Sequence, residues 1–246
     1  MNIESLKKYA FLRGLNLGQA EKDYYQTIIL FSLYGRVTKE LVFKGGTALA
    51  KCYGLNRFSE DLDFTVSEDR DFISMIVSAL KDFSIDHTVR DIQSEKPHKK
   101  YKLKIKGPLY SGSDRTLCSI TLDFSFRESV VLEPNIITIG HHLDIIPSFD
   151  VYAMAETEIF AEKIRAIYSR KSARDLYDLS FLVKKGVKPD YELINKKLEW
   201  VNLKFDRKSF LVSAQSVKNI WQSELRSLVK NVPSFEECLD AASEVL

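Results

Sequence analysis

Alternating apolar and acidic residues at positions 61–66 constrain the fold of this chain more than any other segment. Leu62, Phe64 and Val66 occupy every second position, and Asp61 and Asp63 alternate with them. Because the side chains of a strand point alternately to opposite faces, this pattern predicts a strand with one buried face. The other face of the predicted strand presents two carboxylates.

A second two-faced strand is predicted at 119–126, with its apolar residues on one face and Asp123 on the other. We expect Asp123 to supply a third carboxylate beside Asp61 and Asp63. Mg²⁺ prefers carboxylate ligands and retained waters, and phosphoryl transfer needs cations that neutralise charge at the triphosphate. The pattern therefore predicts a site for Mg²⁺ or Mn²⁺, and solvated strand carboxylates are the alternative.

The segment Lys44-Gly45-Gly46-Thr47 follows a short apolar run and precedes residues of helix-compatible composition. Glycines let backbone N–H groups approach a phosphate, and a helix N-terminus favours negative charge. Lys44 would add a positive charge, and Thr47 a hydroxyl or a helix cap. These four residues are therefore predicted to bind a nucleotide, and a tight strand-to-helix connection is the alternative.

Composition limits the class of protein. The 246 residues are 45% hydrophobic and 28% charged, which is enough to bury a core and excludes disorder as the main state. No apolar run is long enough to span a membrane, and three scattered cysteines fit a reducing cytoplasm. The formal charge is only +2, so a nucleic acid would have to be bound by a local basic patch.

One such patch lies at 96–106, which contains no acidic residue. Lys102, Lys104 and Lys106 are predicted to share one face of a strand, where a phosphate backbone would relieve their repulsion. The alternative is an exposed strand that its lysines protect from aggregation. The histidines His98, His141 and His142 lack a complementary set of metal ligands and are interpreted as loop residues.

The predicted elements change along the chain. Helices are predicted at 19–34 and 71–83, among strands that include 101–106, which indicates an α/β or α+β domain over residues 1–150. From about Ala153 the apolar residues recur at helical spacing, and Pro233 and Ser234 mark the start of a last helix. Residues 151–246 are therefore predicted to form a helical domain.

Three blocks of sequence occur in order along the chain: the glycine turn with its flanks at 43–49 together with 57–64, then 161–166, then 174–179. Together they resemble the AbiEii/AbiGii family of nucleotidyltransferase-fold toxins. The resemblance implies a nucleotidyltransferase-like α/β (α+β) core with a mixed sheet, followed by a helical C-terminal domain. One mild departure is Thr47, where the wider superfamily often has serine.

The resemblance also implies roles for residues that the strand patterns leave unassigned. It places Arg57 and Ser59 with the glycine turn at the triphosphate of an NTP, and Lys163 at the nucleotide phosphates. It makes Asp175 or Asp178 an additional acidic or base-like group in catalysis.

Spacing alone allows a simpler interpretation of the same C-terminal block. Arg174 and Asp178 are four residues apart on a predicted helix and fit a surface ion pair. Lys163 fits an ordinary solvated lysine.

We therefore predict a metal-dependent nucleotidyltransferase that moves a nucleoside monophosphate from an NTP to an acceptor hydroxyl and releases pyrophosphate. The expected acceptor is RNA or tRNA, and the expected setting is the cytoplasm, as the toxin of a toxin–antitoxin or phage-defence system with a cognate antitoxin. One alternative is transfer to a small molecule or a protein hydroxyl, because a fold does not determine the acceptor. Another is a catalytically silent nucleic-acid-binding module.

Overall fold

The computed structural model describes residues 1–140 and 146–246, so His141 and His142 lie outside the described residues. The chain divides into two compact units. The first contains Met1–Ala48, Glu60–Val130 and Pro134–Ala153, and the second contains Leu49–Ser59, Val131–Glu133 and Met154–Leu246. The second unit therefore includes a segment that lies, along the chain, between two strands of the first.

The first unit is built on a seven-stranded sheet with the order β3-β4-β5-β2-β1-β7-β6. The strands are β1 (Leu41–Lys44), β2 (Leu62–Val66), β3 (His87–Gln93), β4 (His98–Ile105), β5 (Cys118–Ser125), β6 (Asn135–Ile139) and β7 (Phe149–Ala153). Strand β2 pairs antiparallel with β1 and parallel with β5. The predicted mixed sheet is confirmed.

The helices that begin in the first unit are α1 (Ile3–Arg13), α2 (Leu17–Tyr34), α3 (Gly45–Cys52) and α4 (Phe72–Asp82). Helix α2 begins with a capping box, in which Asn16 and Gln19 each accept a hydrogen bond from the other's backbone N–H. It ends at Gly35. The helix predicted at 19–34 is confirmed and starts two residues earlier.

Four phenylalanine rings form the centre of the core in this unit. Phe64 stacks on Phe124 with 5.3 Å between ring centroids, and Phe124 stacks on Phe72 at the start of α4 with 5.1 Å. Phe43 on β1 lies 5.6 Å from Phe64. Helix α2 packs against α4 and against β5. The buried side chains of β2 thus point to this core, as the alternation at 61–66 predicts.

Three strands, β3, β6 and β7, were not predicted from the sequence. Strands β3 and β6 form the two edges of the sheet, and most of their residues are exposed, so neither has a clean apolar alternation. Strand β7 lies where the predicted domain boundary fell. The alternative given for the basic stretch at 96–106, an exposed strand that its lysines protect from aggregation, does not fit, because β3 pairs with β4 and β4 is not an edge strand.

The second unit is mainly helical. Its helices after α3 are α5 (Glu156–Ser169), α6 (Ala173–Lys184), α7 (Tyr191–Glu199), α8 (Arg207–Gln215), α9 (Trp221–Leu225) and α10 (Phe235–Val245). Helix α5 packs against α6, α7 and α8, and α6 packs against α9 and α10. Ser234 caps α10 through its side chain, as predicted for the last helix.

Glu158, which is buried on α5, connects the segment Val131–Glu133 to the helices of the second unit. Its carboxylate accepts hydrogen bonds from the backbone N–H groups of Val131 and Leu132 and pairs with Lys197 at 2.6 Å.

None of the helices in the described parts of the chain has both the length and the apolar composition needed to cross a membrane.

Candidate active site

A row of four charged residues crosses the sheet of the first unit. Pairing register places Lys44 of β1 opposite Asp63 of β2, Asp63 beside Asp123 of β5, and Asp123 opposite Lys100 of β4. Directly paired residues on neighbouring strands point to the same face. The two aspartates therefore lie side by side with a lysine on each flank, on the face opposite the phenylalanine core.

The Asp63 carboxylate lies against the glycine turn. A β-carbon at Gly45 would stand 2.5 Å from Asp63 Oδ2 and 3.2 Å from its Cγ, so no larger residue fits without a shift. Gly45 also has a φ of +75°, in the left-handed region that favours glycine. Gly46 follows it in the first turn of α3. The glycine at position 45 thus provides both the turn and the space for Asp63.

Asp61 immediately precedes β2 and is tied to the same turn. The hydroxyl of Thr47, which is buried, donates a hydrogen bond to the backbone carbonyl oxygen of Asp61. The backbone of Glu60 is also held, because Gln26 Nε2 donates to its carbonyl oxygen at 2.9 Å. Thr47 therefore positions the backbone from which the Asp61 carboxylate projects.

Asp123 is held by two neighbours on β4. Its Oδ1 lies 2.9 Å from His98 Nδ1, and its Oδ2 lies 2.9 Å from Lys100 Nζ. The interpretation of His98 as a loop residue is wrong, because it is the first residue of β4. Within the described residues, no group of three or more His, Cys, Asp or Glu side chains has the arrangement of a metal site.

The second unit contains a buried network of ion pairs. Arg57 makes a bidentate contact with Asp178 on α6, at 2.6 Å and 2.7 Å. Lys163 on α5 lies 2.6 Å from Asp178 and 2.9 Å from Asp175. Arg170 makes a second bidentate contact with Asp175, at 2.7 Å and 2.9 Å. Two carboxylates with 0% side-chain exposure are thus shared by three cations.

Burial and pairing act in opposite directions on the pKa values of this network. Burial alone raises the pKa of Asp178, but the charges of Arg57 and Lys163 outweigh it and the net pKa is lowered. The pKa of Asp175 is lowered in the same way, chiefly by Lys163 and then by Arg170. Burial lowers the pKa of Lys163, and the two aspartates raise it above its usual value. All of these groups are therefore charged at neutral pH.

The simpler interpretations of the C-terminal block are wrong. Arg174 pairs with Glu224 at 2.9 Å, whereas Asp178 is buried with Arg57 and Lys163. Lys163 is accordingly not a solvated lysine. The contribution of Arg170 was missed because it bridges the break between α5 and α6, where helical spacing gives no guidance.

The predicted site residues fall into two groups. The first unit contains the glycine turn (Lys44, Gly45, Gly46 and Thr47) and the carboxylates Asp61, Asp63 and Asp123; the second contains Arg57, Ser59, Lys163, Asp175 and Asp178. The structure adds Lys100 and His98 to the first group. These two could be found only from the register between β4 and β5, which sequence alternation does not determine.

Comparison with known proteins assigns this arrangement to a family. The family model described as nucleotidyl transferase AbiEii toxin, type IV TA system, matches residues 29–241. The chain belongs to this family. Among curated proteins, none is significantly similar to the chain. Membership makes the protein a nucleotidyltransferase toxin and implies an NTP substrate and an antitoxin partner.

Solved structures share the fold. MenT4, a nucleotidyltransferase toxin from Mycobacterium tuberculosis H37Rv, superposes with a TM-score of 0.69 at 21% identity, covering 99% of this chain and 88% of that one. JHP933 from Helicobacter pylori gives a TM-score of 0.62 at 21% identity, covering 92% and 89%. The predicted fold class is confirmed.

The close approach at Gly45 generates a first prediction. Substitution Gly45→Ala should cost about 1–2 kcal/mol in left-handed backbone strain and about 1–3 kcal/mol in overpacking against Asp63. A displacement of Asp63 of about 1 Å should lower nucleotide transfer about 100-fold. The free energy of unfolding in denaturant measures the stability cost, and the rate of nucleotide transfer measures the effect of displacing Asp63.

Gly54→Ala is the matched control for the glycine prediction. Gly54 has a φ of +81°, and a β-carbon there would meet no atom within 4 Å. This variant should show the backbone strain alone, with transfer unchanged. Equal transfer by the Gly45 and Gly54 variants would contradict the role assigned to the contact with Asp63.

The buried network generates a second prediction. Asp178→Asn keeps the shape of the side chain but leaves Arg57 and Lys163 short of a buried counter-charge, which should cost about 3–5 kcal/mol of unfolding free energy. The control is Glu237→Gln, which removes a carboxylate from an exposed pair with Lys184 and should cost less than about 1 kcal/mol. If both variants lost a similar free energy of unfolding, the buried network would contribute no more to stability than an exposed ion pair.

The lowered pKa of Asp178 determines how the difference in unfolding free energy between the wild type and Asp178→Asn depends on pH. A carboxylate with a folded-state pKa below its unfolded value of about 3.9 stabilises the fold fully above that pH and loses the contribution as the pH falls through the folded-state pKa. The stability difference between the wild type and Asp178→Asn should therefore be constant from pH 8 to about pH 5 and shrink below about pH 4. A difference that grows in acid would contradict the assignment.

Proposed function

We propose that this protein transfers a nucleoside monophosphate from an NTP to a hydroxyl of RNA, with tRNA as one acceptor, in a metal-dependent reaction. The acceptor oxygen attacks the α-phosphorus, the bond between that phosphorus and the α–β bridging oxygen breaks, and pyrophosphate leaves. The acceptor hydroxyl loses its proton to solvent. The observation that carries the proposal is the placement of Asp63 against Gly45, with Asp61 held to the same turn by Thr47.

The donor set fits a hard divalent cation. Mg²⁺ is usually bound by one or two carboxylates together with substrate phosphates and waters, rather than by a cage of protein ligands. Asp61 and Asp63 supply two such carboxylates, and Mn²⁺ accepts the same donors. A bound cation would neutralise charge on the transferring phosphoryl group. Asp123 would join as a third ligand through lone pairs that its contacts with His98 and Lys100 leave available.

The glycine turn is proposed to bind the triphosphate. Its backbone N–H groups lie at the start of α3, where the helix dipole favours negative charge. Lys44 contributes positive charge from the end of β1. Thr47 acts by positioning Asp61, because its hydroxyl already donates a hydrogen bond to the Asp61 carbonyl oxygen.

For the second unit we propose a positioning role. Arg57, Lys163, Asp175 and Asp178 satisfy one another's charges inside that unit, which favours a structural contribution over proton transfer by either aspartate. Arg57 precedes Asp61 by four residues along the chain. Ser59 lies between them and remains assigned to the triphosphate.

RNA as the acceptor is supported by the face on which Asp63 lies. That face continues from Asp123 across β4, where Lys100 and Lys102 point the same way. A surface that carries a row of lysines beside the proposed metal site suits a polyanionic acceptor better than a small neutral molecule. We place the reaction in the cytoplasm, where NTPs and RNA are both present.

Removing either metal carboxylate tests the proposal. Asp61→Asn and Asp63→Asn keep the side-chain shape but remove a charge from the proposed ligand set, so Mg²⁺-dependent transfer should fall about 100-fold or more while the fold is retained. Transfer is measured with α-labelled NTP and total RNA, and folding by circular dichroism.

Asp82→Asn is the control, because Asp82 is exposed at the end of α4. It should transfer at the wild-type rate. Full Mg²⁺-dependent transfer by Asp61→Asn and Asp63→Asn would overturn the metal assignment.

A further inference from the structure

Most lysines at the basic end of the sheet are already paired with aspartates. Lys99 lies 2.8 Å from Asp69, and Lys104 lies 3.1 Å from Asp114. Lys96, Lys100 and Lys106 pair with Asp69, Asp123 and Asp86, respectively. The charge of this segment, which looks continuous in the sequence, is therefore largely neutralised by the fold.

Lys102 on β4 and Arg90 on β3 differ from these lysines. They are direct partners in the antiparallel register of β3 and β4, and both are exposed. Within residues 1–140 and 146–246, neither has an ion pair with an acidic side chain. Like charges directly opposite each other on neighbouring strands destabilise a sheet. The fold thus places two uncompensated cations side by side.

The position of this pair relative to the metal carboxylates is given by the sheet. The register of β2, β5, β4 and β3 places both cations on the same face as Asp63 and Asp123. With about 4.8 Å between strands and about 3.3 Å per residue, the Cα atom of Lys102 is about 12 Å from that of Asp63, and that of Arg90 about 16 Å. The pair lies three and four strands away from β1, at whose end the glycine turn proposed to bind the triphosphate begins, so a phosphate held there is assigned to the acceptor.

We propose that Arg90 and Lys102 together bind a backbone phosphate of the RNA acceptor, several nucleotides from the hydroxyl that is modified. This inference rests on the proposed function and adds the feature that selects a polynucleotide over a small acceptor. A phosphate between the two side chains relieves their mutual repulsion and accepts charge-assisted hydrogen bonds from both. A small alcohol at the metal site offers no phosphate to the pair.

The test compares two double variants in their binding to a fluorescent single-stranded RNA of about 20 nucleotides, long enough to cover several phosphate contacts. Arg90→Gln with Lys102→Gln removes the unpaired cations. Lys104→Gln with Lys106→Gln is the matched control, because it removes the same charge from paired lysines on the same face of the same strand region. Anisotropy titrations over a range of salt concentrations need neither NTP nor metal.

The Arg90 and Lys102 variant should bind RNA about 10-fold more weakly, and its slope of log K against log salt should fall by about 0.7, the value for one lost phosphate contact on a single strand. Its KM for RNA in the transfer reaction should rise, with kcat at saturating RNA and NTP affinity unchanged. The control should change RNA affinity less than about 2-fold, because Asp114 and Asp86 lie beside these lysines and repel an approaching phosphate.

Equal losses of RNA affinity in the two double variants would overturn the phosphate-binding pair in favour of non-specific attraction. No loss of RNA affinity in either variant would overturn it by showing that these residues do not bind RNA. A loss confined to the Arg90 and Lys102 variant, with no nucleotide transferred to RNA by the wild type, would overturn the proposed function instead. The two failures are thus distinguished by binding in one case and by transfer in the other.

Discussion

The Asp63 carboxylate occupies the space that any side chain at residue 45 would need, and the geometry of the proposed site follows from this contact. Gly45 turns the chain from β1 into α3, and the pairing of β1 with β2 brings Asp63 onto that turn. Thr47, two residues into the helix, then fixes the backbone of Asp61. Gly45 and Thr47 therefore hold Asp63 and the backbone of Asp61 at the start of α3, where we propose that a triphosphate and its cation bind.

The aspartates of the two units differ in their exposure to solvent. In the first, Asp63 and Asp123 stand side by side on a partly exposed sheet face with a lysine on each flank, and we propose that a cation binds beside them. In the second, Asp175 and Asp178 are fully buried and receive their counter-charges from Arg57, Lys163 and Arg170. Buried pairs of this kind contribute less to net stability than to holding one arrangement, because desolvation offsets much of their attraction. The first arrangement suits a ligand, and the second suits a scaffold.

The sequence was sufficient to predict what depends on local pattern. The alternation around Leu62 and the glycine turn predicted β2, the start of α3 and the placement of Asp63 on the face opposite the core, because both patterns extend over only a few residues. It was insufficient for what depends on register. Sequence did not indicate that Asp123 would contact Lys100, that Arg90 would face Lys102, or that Arg57 would pair with Asp178, 121 residues away along the chain. Edge strands were missed because exposure on both faces removes the apolar period.

The central claim is that the site transfers a nucleotide rather than a terminal phosphate. The most direct measurement is parallel incubation of the protein with RNA, Mg²⁺ and each NTP labelled either at the α- or at the γ-phosphorus, followed by separation of RNA from small products. The account predicts that for at least one NTP the α-label appears in RNA and the γ-label in pyrophosphate. Transfer of the γ-label to RNA, or no label in RNA from any NTP, would contradict it.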